Sequence, residues 1–213
     1  MLVTEFQQRF DDWLRSLGTF AGITRTIVIL CVFATLTAVL INFLQAKQAA
    51  AVKRERRSIV ATASMLGFFA GYYCLLRFRI GAVELLVAPL DRVTVAGGLL
   101  LIIAGTVVNI LGRFALGGNW GDQIRIYRDH GLVTGGVYRL VRHPLYASLI
   151  WMACGGALIF QNPLALLANL AVFLPAMTYR GHQEETALTA EFPTYAAYRR
   201  TTGMFFPKLW MQK

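Results

Sequence analysis

Residues 23–44 read ITRTIVILCVFATLTAVLINFL and carry one charged residue, Arg25, close to their start. A helix needs roughly 20 mainly apolar residues to cross the hydrocarbon core of a bilayer. A surface helix of a soluble domain keeps a charged face toward water, and this stretch lacks one. It therefore predicts a transmembrane helix, with lipid as the main solvent of this part of the chain.

The composition of the whole chain agrees with a membrane protein. Of its 213 residues, 56% are hydrophobic and 15% are charged, whereas a soluble domain carries about 25% charged residues. The net charge of +10 does not indicate nucleic acid binding, because the basic residues lie between apolar runs rather than on one polar face. We expect them to contact the anionic headgroups of membrane lipids.

Four further apolar segments follow the first. They run from about Ser58 to Leu76, Val93 to Gly112, Leu145 to Phe160 and Leu164 to Tyr179. The fold class predicted is an all-α polytopic membrane helix bundle with about five transmembrane helices. Residues 1–112 would form an interfacial segment and three spans. Residues 113–213 would form a second region, with a helical hairpin at 145–179 and a C-terminal cytosolic helix.

The basic residues also predict the orientation in the membrane. Residues 45–57, 113–143 and the segment from Arg180 onward each contain five Lys or Arg residues, whereas the turn Gln161-Asn162-Pro163 contains none. With alternating spans, the three basic segments fall on one side, which the positive-inside rule makes cytosolic. The hairpin returns the chain to the side it left, so we expect Asp129–His143 and Arg180–Glu185 to meet at one membrane face.

These two stretches hold most of the unusual polar residues of the chain. Gly135 and Gly136 allow tight turns and leave backbone N–H groups accessible to a ligand. Arg142 and His143 directly precede Pro144, which suits the first turn of the fourth helix. Ionisable groups at a membrane boundary are costly unless they are used, although Arg142 could instead extend to lipid headgroups while His143 caps the helix.

The second stretch places Arg180 and Glu184 four residues apart, on one helical face. Arg before Glu is the weaker order for helix support, so simple surface pairing explains the two residues poorly. The alternative is a solvated amphipathic helix on the membrane, with Tyr195 and Tyr198 as interfacial anchors.

The sequence LVTGGVYRLVRHPLY at 132–146 resembles the signature of the isoprenylcysteine carboxyl methyltransferase family. The later pattern Arg-x-x-x-Glu-Glu-x-x-Leu-x-x-x-Phe at 180–192 is similar to that family too. The likeness covers roughly Asn109 to Pro207. It implies a membrane enzyme that methylates the carboxylate of a prenylated cysteine or a similar lipophilic acceptor, using S-adenosylmethionine bound at the cytosolic face.

By that likeness, Arg180 and Glu184 would face the acceptor as the catalytic pair. The cofactor pocket would be lined by His130, Leu132, Val133, Gly135, Gly136, Tyr138, Arg142, His143, Tyr146 and Glu185. The chain departs from the family pattern at Val137, where Pro is usual, and at Ser148 and Pro193, where Gly is common. Tyr195 and Tyr198 also lie one residue closer to Phe192 than in the family pattern.

Four other functions compete with this one. A phospholipid N-methyltransferase would use the same cofactor. A membrane NADPH-dependent reductase of the sterol reductase type usually has Arg-His-x-Asn-Tyr, whereas residues 142–146 read RHPLY. A metal enzyme is disfavoured, because the three histidines show no metal-ligand spacing. A helical scaffold or transporter subunit would spread its charged residues through the spans, whereas here they gather at one membrane face. We expect neither a metal ion nor a nucleic acid partner.

Overall fold

The computed structural model describes residues 7, 12, 14–46, 52–56, 59–83, 90–117, 124–127 and 132–208. Within them, the long helices are α1 (Phe20–Ala46), α2 (Ile59–Arg77), α3 (Leu90–Leu116), α4 (Pro144–Ile159) and α5 (Pro163–Glu191), followed by the short helix α6 (Tyr195–Thr201). Two short strands, β1 (Val52–Arg56) and β2 (Ile124–Tyr127), pair antiparallel. The helical fold class is thus confirmed, and this ribbon is an addition that the sequence did not predict.

Three helices of the described residues are long and apolar enough to cross a membrane: Phe20–Asn42 within α1, α3 and α5. Helix α4 is apolar but shorter, at 16 residues. The prediction that the fifth segment ends at Tyr179 was wrong, because α5 continues without a break to Glu191. No helix-breaking residue lies between Tyr179 and Glu191, since Gly181 is tolerated within a helix when packing requires it.

Helices α3 and α4 run antiparallel in close contact, and glycines make the contact possible. A Cβ atom placed on Gly98 would lie 2.6 Å from the carbonyl oxygen of Gly155, and one on Gly155 would lie 2.5 Å from that of Gly98. Gly105 lies against Ser148 and Met152 in the same way. By contrast, a Cβ on Gly67 or Gly71 of α2 would meet no described atom within 4 Å, so these two glycines bring α2 close to no described helix.

The turn between α4 and α5 is fixed by Asn162. Its Oδ1 atom accepts a hydrogen bond from the backbone N–H of Ala165 at 2.9 Å and so caps α5. Its Nδ2 atom donates to the carbonyls of Leu75 and Ile80 at the end of α2. One buried amide side chain (1% exposed) therefore joins three helices, which satisfies polar groups that lipid could not.

At the opposite end of the bundle, a polar chain crosses from α1 to α4. Arg113 of α3 donates from Nη1 to Asn42 of α1 at 3.3 Å and from Nε to Asn109 at 2.8 Å. Asn109 in turn donates to Ser148 of α4 at 2.7 Å. The ends of α1 and α3 and the start of α4 therefore lie together, as the predicted topology requires.

Substituting Gly98 should separate α3 from α4. We expect Gly98→Ala to lower the free energy of unfolding by about 1–3 kcal/mol, the usual cost of overpacking a tight contact. The neighbouring Gly97→Ala is the matched control, because a Cβ at Gly97 meets nothing within 4 Å. Equilibrium unfolding in detergent micelles measures both variants, and an equal loss at the two positions would contradict the packing described here.

Candidate active site

The candidate site forms where the loop before α4 meets the second half of α5 and the chain after α6. Residues 141–143 run beside 203–204: the backbone N–H of Arg142 donates to the carbonyl of Gly203 at 2.8 Å, and that of His143 to the carbonyl of Met204 at 3.2 Å. Gly181 faces this junction, and a Cβ there would lie 3.4 Å from Nε2 of His143. The absence of a side chain lets α5 approach His143 closely.

Glu185 lies at the centre of this junction, with 2% of its side chain exposed. Its Oε1 atom is 2.8 Å from Nε of Arg142 and 3.2 Å from Nε2 of His143. Its Oε2 atom is 3.2 Å from Nε of Arg199. A carboxylate removed from water is costly unless cations and hydrogen bonds compensate it, and here three cationic side chains from two other segments do so.

Arg142 also holds the C-terminal segment. Its Nη1 atom donates to the carbonyl of Thr202 and, at 3.2 Å, to that of Arg199. These carbonyls belong to the end of α6, where a cation is favourable because helix C-termini carry partial negative charge. One guanidinium therefore connects α5, the loop before α4 and the last helix.

His143 has a carboxylate at each ring nitrogen. Nδ1 is 3.3 Å from Oε2 of Glu184, and Nε2 is 3.2 Å from Oε1 of Glu185. Burial alone would lower the pKa of His143, but the hydrogen bonds and charges of the two glutamates outweigh it and raise the pKa above 6.5. Both nitrogens then donate, so His143 is an imidazolium that joins adjacent carboxylates on α5.

Beside this ionic cluster lies a second group that includes more accessible side chains. Nε of Arg180 donates to the Tyr146 hydroxyl at 2.7 Å, and that hydroxyl donates to Oε1 of Glu184. The Arg180 guanidinium carbon lies 5.7 Å from the centre of the Tyr146 ring, within the range of a cation–π contact. The Glu184 side chain is 24% exposed, against 2% for Glu185, so Glu184 can meet a ligand.

The glycine segment forms the open edge of the site. A Cβ on Gly135 or Gly136 would meet nothing within 4 Å, and Gly136 has φ +59°, a conformation that favours glycine. Within the described part of the chain, the backbone N–H groups of residues 132–136 donate to no partner. Tyr138 next to them is buried, and its carbonyl accepts from the Tyr198 hydroxyl.

Comparison with known proteins shows a family to which part of the chain is similar. The sequence profile of the isoprenylcysteine carboxyl methyltransferase (ICMT) family matches residues 98–190, which include α4 and nearly all of α5. The similarity to this family therefore covers most of the region that holds the candidate site. The matched region contains every described contact of Glu184 and Glu185 except those made by the C-terminal segment.

Individual curated proteins are similar to parts of the chain. Protein-S-isoprenylcysteine O-methyltransferase of Saccharomyces cerevisiae is 31% identical over 113 residues, 52% of this chain and 47% of the yeast protein. Cobalt-zinc-cadmium resistance protein CzcN of Cupriavidus metallidurans is 39% identical over 85 residues, 38% of each protein. The chain thus spans about half the length of the curated relatives it matches, or less.

A solved structure supports the fold. The eukaryotic intramembrane Ras methyltransferase ICMT superposes with a TM-score of 0.51 at 24% identity, over 71% of this chain and 53% of the other. At that identity the likeness concerns the fold alone. It agrees with the helical membrane bundle that the sequence predicted.

The two predicted stretches do meet. Arg142, His143 and Tyr146 contact Glu185 or Glu184, and Arg180 contacts Tyr146. Leu132, Val133, Gly135, Gly136 and Tyr138 lie along the adjoining segment, whereas His130 lies outside the described residues. The individual roles assigned to these residues stay predictions.

Sequence reasoning missed the contribution of the C-terminal segment. Tyr195, which we considered an interfacial anchor, is 1% exposed, and Arg199 pairs with Glu185 instead of lying free on the surface. The signal that could have revealed this is the need of a buried Glu185 for more cations than residues 142–146 supply. The His182 side chain, in contrast, is exposed, and its ring contacts the carbonyl of Thr178.

The His143 contacts should produce a pH-dependent stability. Because its pKa is raised in the folded protein, the stabilisation is fully present below about pH 6.5 and is lost as pH rises through the folded-state pKa. We expect His143→Gln to lower the free energy of unfolding by about 3 kcal/mol near pH 6, and by less at alkaline pH. Unfolding of the purified protein at a series of pH values measures this difference, with His182→Gln as the control. A loss that does not change with pH would contradict the imidazolium assignment.

Proposed function

We propose that this protein is an S-adenosylmethionine-dependent methyltransferase that methylates the carboxylate of a lipophilic acceptor at the cytosolic face of a membrane. A prenylated cysteine is the acceptor that the names of its relatives suggest. The observation that carries the proposal is the convergence of Arg180, Tyr146 and Glu184 beside an open glycine segment, at the end of a membrane helix bundle.

The donor set fits S-adenosylmethionine. Leu132, Val133, Gly135 and Gly136 would offer backbone donors in open space, and Glu184 would offer an accessible carboxylate for the amino or hydroxyl groups of the cofactor. The ring of Tyr146 would contact its positive charge. Glu185, bound by Arg142 and His143, would hold the pocket in shape. His130 and Tyr138 would complete the edge of the pocket.

The bound cofactor would supply a methyl group that its sulfonium already activates, so an anionic acceptor needs no strong general base. The chain must then orient the acceptor carboxylate in line with that methyl group. Arg180 can hold a carboxylate through two parallel hydrogen bonds. Tyr146 fixes the position of Arg180 by the hydrogen bond described above, and Glu184 does so by an ion pair, since its Oε1 atom lies 3.8 Å from Nε of Arg180.

The charge of the cluster favours methylation of oxygen over methylation of an amine. Among the described side chains, four cations (Arg142, His143, Arg180 and Arg199) contact two carboxylates (Glu184 and Glu185), an excess of two positive charges. Such a site attracts an anionic acceptor and repels the ammonium of a phospholipid headgroup. This argues against the phospholipid N-methyltransferase alternative.

Apolar side chains beside the charged cluster suit a lipophilic acceptor. Tyr179, next to Arg180, and Phe206 are exposed, and the Phe206 ring centre is 6.1 Å from that of Trp151 on α4. An acceptor tail could enter sideways from the lipid along these residues, with only its carboxylate reaching Arg180. Membrane lipids themselves would form the rest of its surroundings.

Arg180→Ala should weaken acceptor use. We expect the KM for a farnesylcysteine acceptor to rise about 10- to 100-fold, because a charge-assisted hydrogen-bonded pair contributes about 1.5–3 kcal/mol. Transfer of a radiolabelled methyl group from S-adenosylmethionine in detergent or vesicles measures this. Arg139→Ala is the control, since Arg139 is an exposed cation on the loop before α4. Equal effects of the two substitutions would contradict the role of Arg180.

Calorimetric titration separates the proposal from its alternatives. The purified protein should bind S-adenosylmethionine and not NADPH, and it should transfer methyl groups to prenylcysteine and not to phosphatidylethanolamine. Binding of NADPH alone would overturn the assignment in favour of a membrane reductase. Transfer to phosphatidylethanolamine would overturn the choice of acceptor.

A further inference from the structure

One face of α5 is buried along its whole length by residues spaced four apart. Ala165, Asn169, Phe173, Met177, Gly181 and Glu185 are all buried. The first of them packs with Ala153 and Ala157 of α4, Phe173 and Met177 pack with Ala147 and Ile150, and the last contacts His143. The row thus follows α4 from one end of the bundle to the other.

A regular α-helix cannot keep such a row on one face. At 3.6 residues per turn, a step of four residues rotates the chain about 40° past a full circle. The side chains of Ala165 and Glu185, five such steps apart, would then point in directions that differ by about 200°. Helix α5 contains one wider turn at Asn169–Phe173, a π-helix, in which the N–H of Leu174 bonds the carbonyl of Asn169, five residues back. This turn takes up one additional residue and removes about 100° of the drift.

Two side chains of the sequence account for the wide turn. Pro175 has no N–H to donate to the carbonyl four residues back, and its ring would collide with that carbonyl in a regular helix. Asn169 is 0% exposed, and its Nδ2 atom donates to the carbonyl of Ile150 at 3.1 Å and to Sγ of Cys154 at 3.0 Å. The amide thereby fixes the wide turn against α4, in a lipid-solvated region where an unbonded amide would be costly.

We propose that Asn169 and Pro175 are positioning residues that set the rotation of the second half of α5 through this wide turn. The proposal rests on the methyltransferase function proposed above. Without the wide turn, the residues after Pro175 would rotate about the helix axis by the angle of one residue, about 100°. Arg180 would then occupy the place of Gly181 against His143, and Glu184 would take the place of Glu185. The charged site is some three helical turns from Asn169 and does not contact it.

Deletion of one residue from the wide turn distinguishes a rotation of the second half of α5 from general damage to the fold. In Asn169→Leu/Pro175→Ala we expect the wide turn to close into a regular helix, with loss of S-adenosylmethionine binding and a lower thermal midpoint. Deleting Val172, an exposed residue of the turn, from that variant removes the additional residue. Binding and the thermal midpoint should then return, although neither original side chain is restored.

Two further variants complete the experiment. Deletion of Val172 alone keeps Asn169 and Pro175, so it should rotate the second half of α5 the other way and weaken S-adenosylmethionine binding, whereas Val172→Ala, the control for its side chain, should have no effect. Failure of the deletion to restore the thermal midpoint of Asn169→Leu/Pro175→Ala, or unchanged binding and thermal midpoint on deletion of Val172 alone, would overturn the positioning role. If the unaltered protein bound no S-adenosylmethionine, the proposed function would fail, and the thermal midpoints would still decide the role of the wide turn.

Discussion

The buried carboxylate of Glu185 is the constraint on which the C-terminal half of the protein depends. A carboxylate with 2% of its side chain exposed requires cations, and these come from Arg142, His143 and Arg199. The loop before α4, the second half of α5 and the chain from α6 onward must therefore meet at one point. Removing one partner would leave an uncompensated buried charge, which is far costlier than losing the pair as a whole.

The helix bundle supplies a rigid frame for this ionic cluster. Glycine contacts bring α3 and α4 together, the Asn162 amide fixes the turn between α4 and α5, and the Arg113–Asn109–Ser148 chain connects α3 to α4 near the site. These polar side chains bond to other side chains or to backbone groups, as a lipid environment demands. The frame can then keep Arg180, Tyr146 and Glu184 in the orientation that the proposed methyl transfer would need.

Much of the fold could be predicted from the sequence, because lipid-facing helices are recognisable by their length and apolar composition. The tight Gln161-Asn162-Pro163 turn also implied that 132–146 and 180–185 meet, which the contacts of His143 with Glu184 and Glu185 bear out. The contacts of Arg199 could not be predicted, since they depend on residues distant in sequence. The wide turn at Asn169–Phe173 depends partly on such residues too, because Asn169 bonds to Ile150 and Cys154 of α4. The full extent of α5 was missed because its second half is polar, although it continues the same helix.

Under the proposed function, only a few groups of this chain select the acceptor. Arg180 and the positive excess of the cluster favour an anion, and the neighbouring aromatic residues favour a lipophilic one. Neither feature distinguishes one prenyl chain from another, since apolar surfaces discriminate weakly between homologous tails.

The most direct measurement of the central claim is a double-mutant cycle on S-adenosylmethionine affinity, with Arg142→Met, Glu185→Met and both together. If the ion pair joins the loop to α5 and thereby forms the pocket, each single change should weaken binding. The double change should then cost less than the sum, with a coupling free energy of about 1–3 kcal/mol. Strictly additive effects, or single variants that bind as tightly as the unaltered protein, would contradict the claim that this ion pair forms the cofactor pocket.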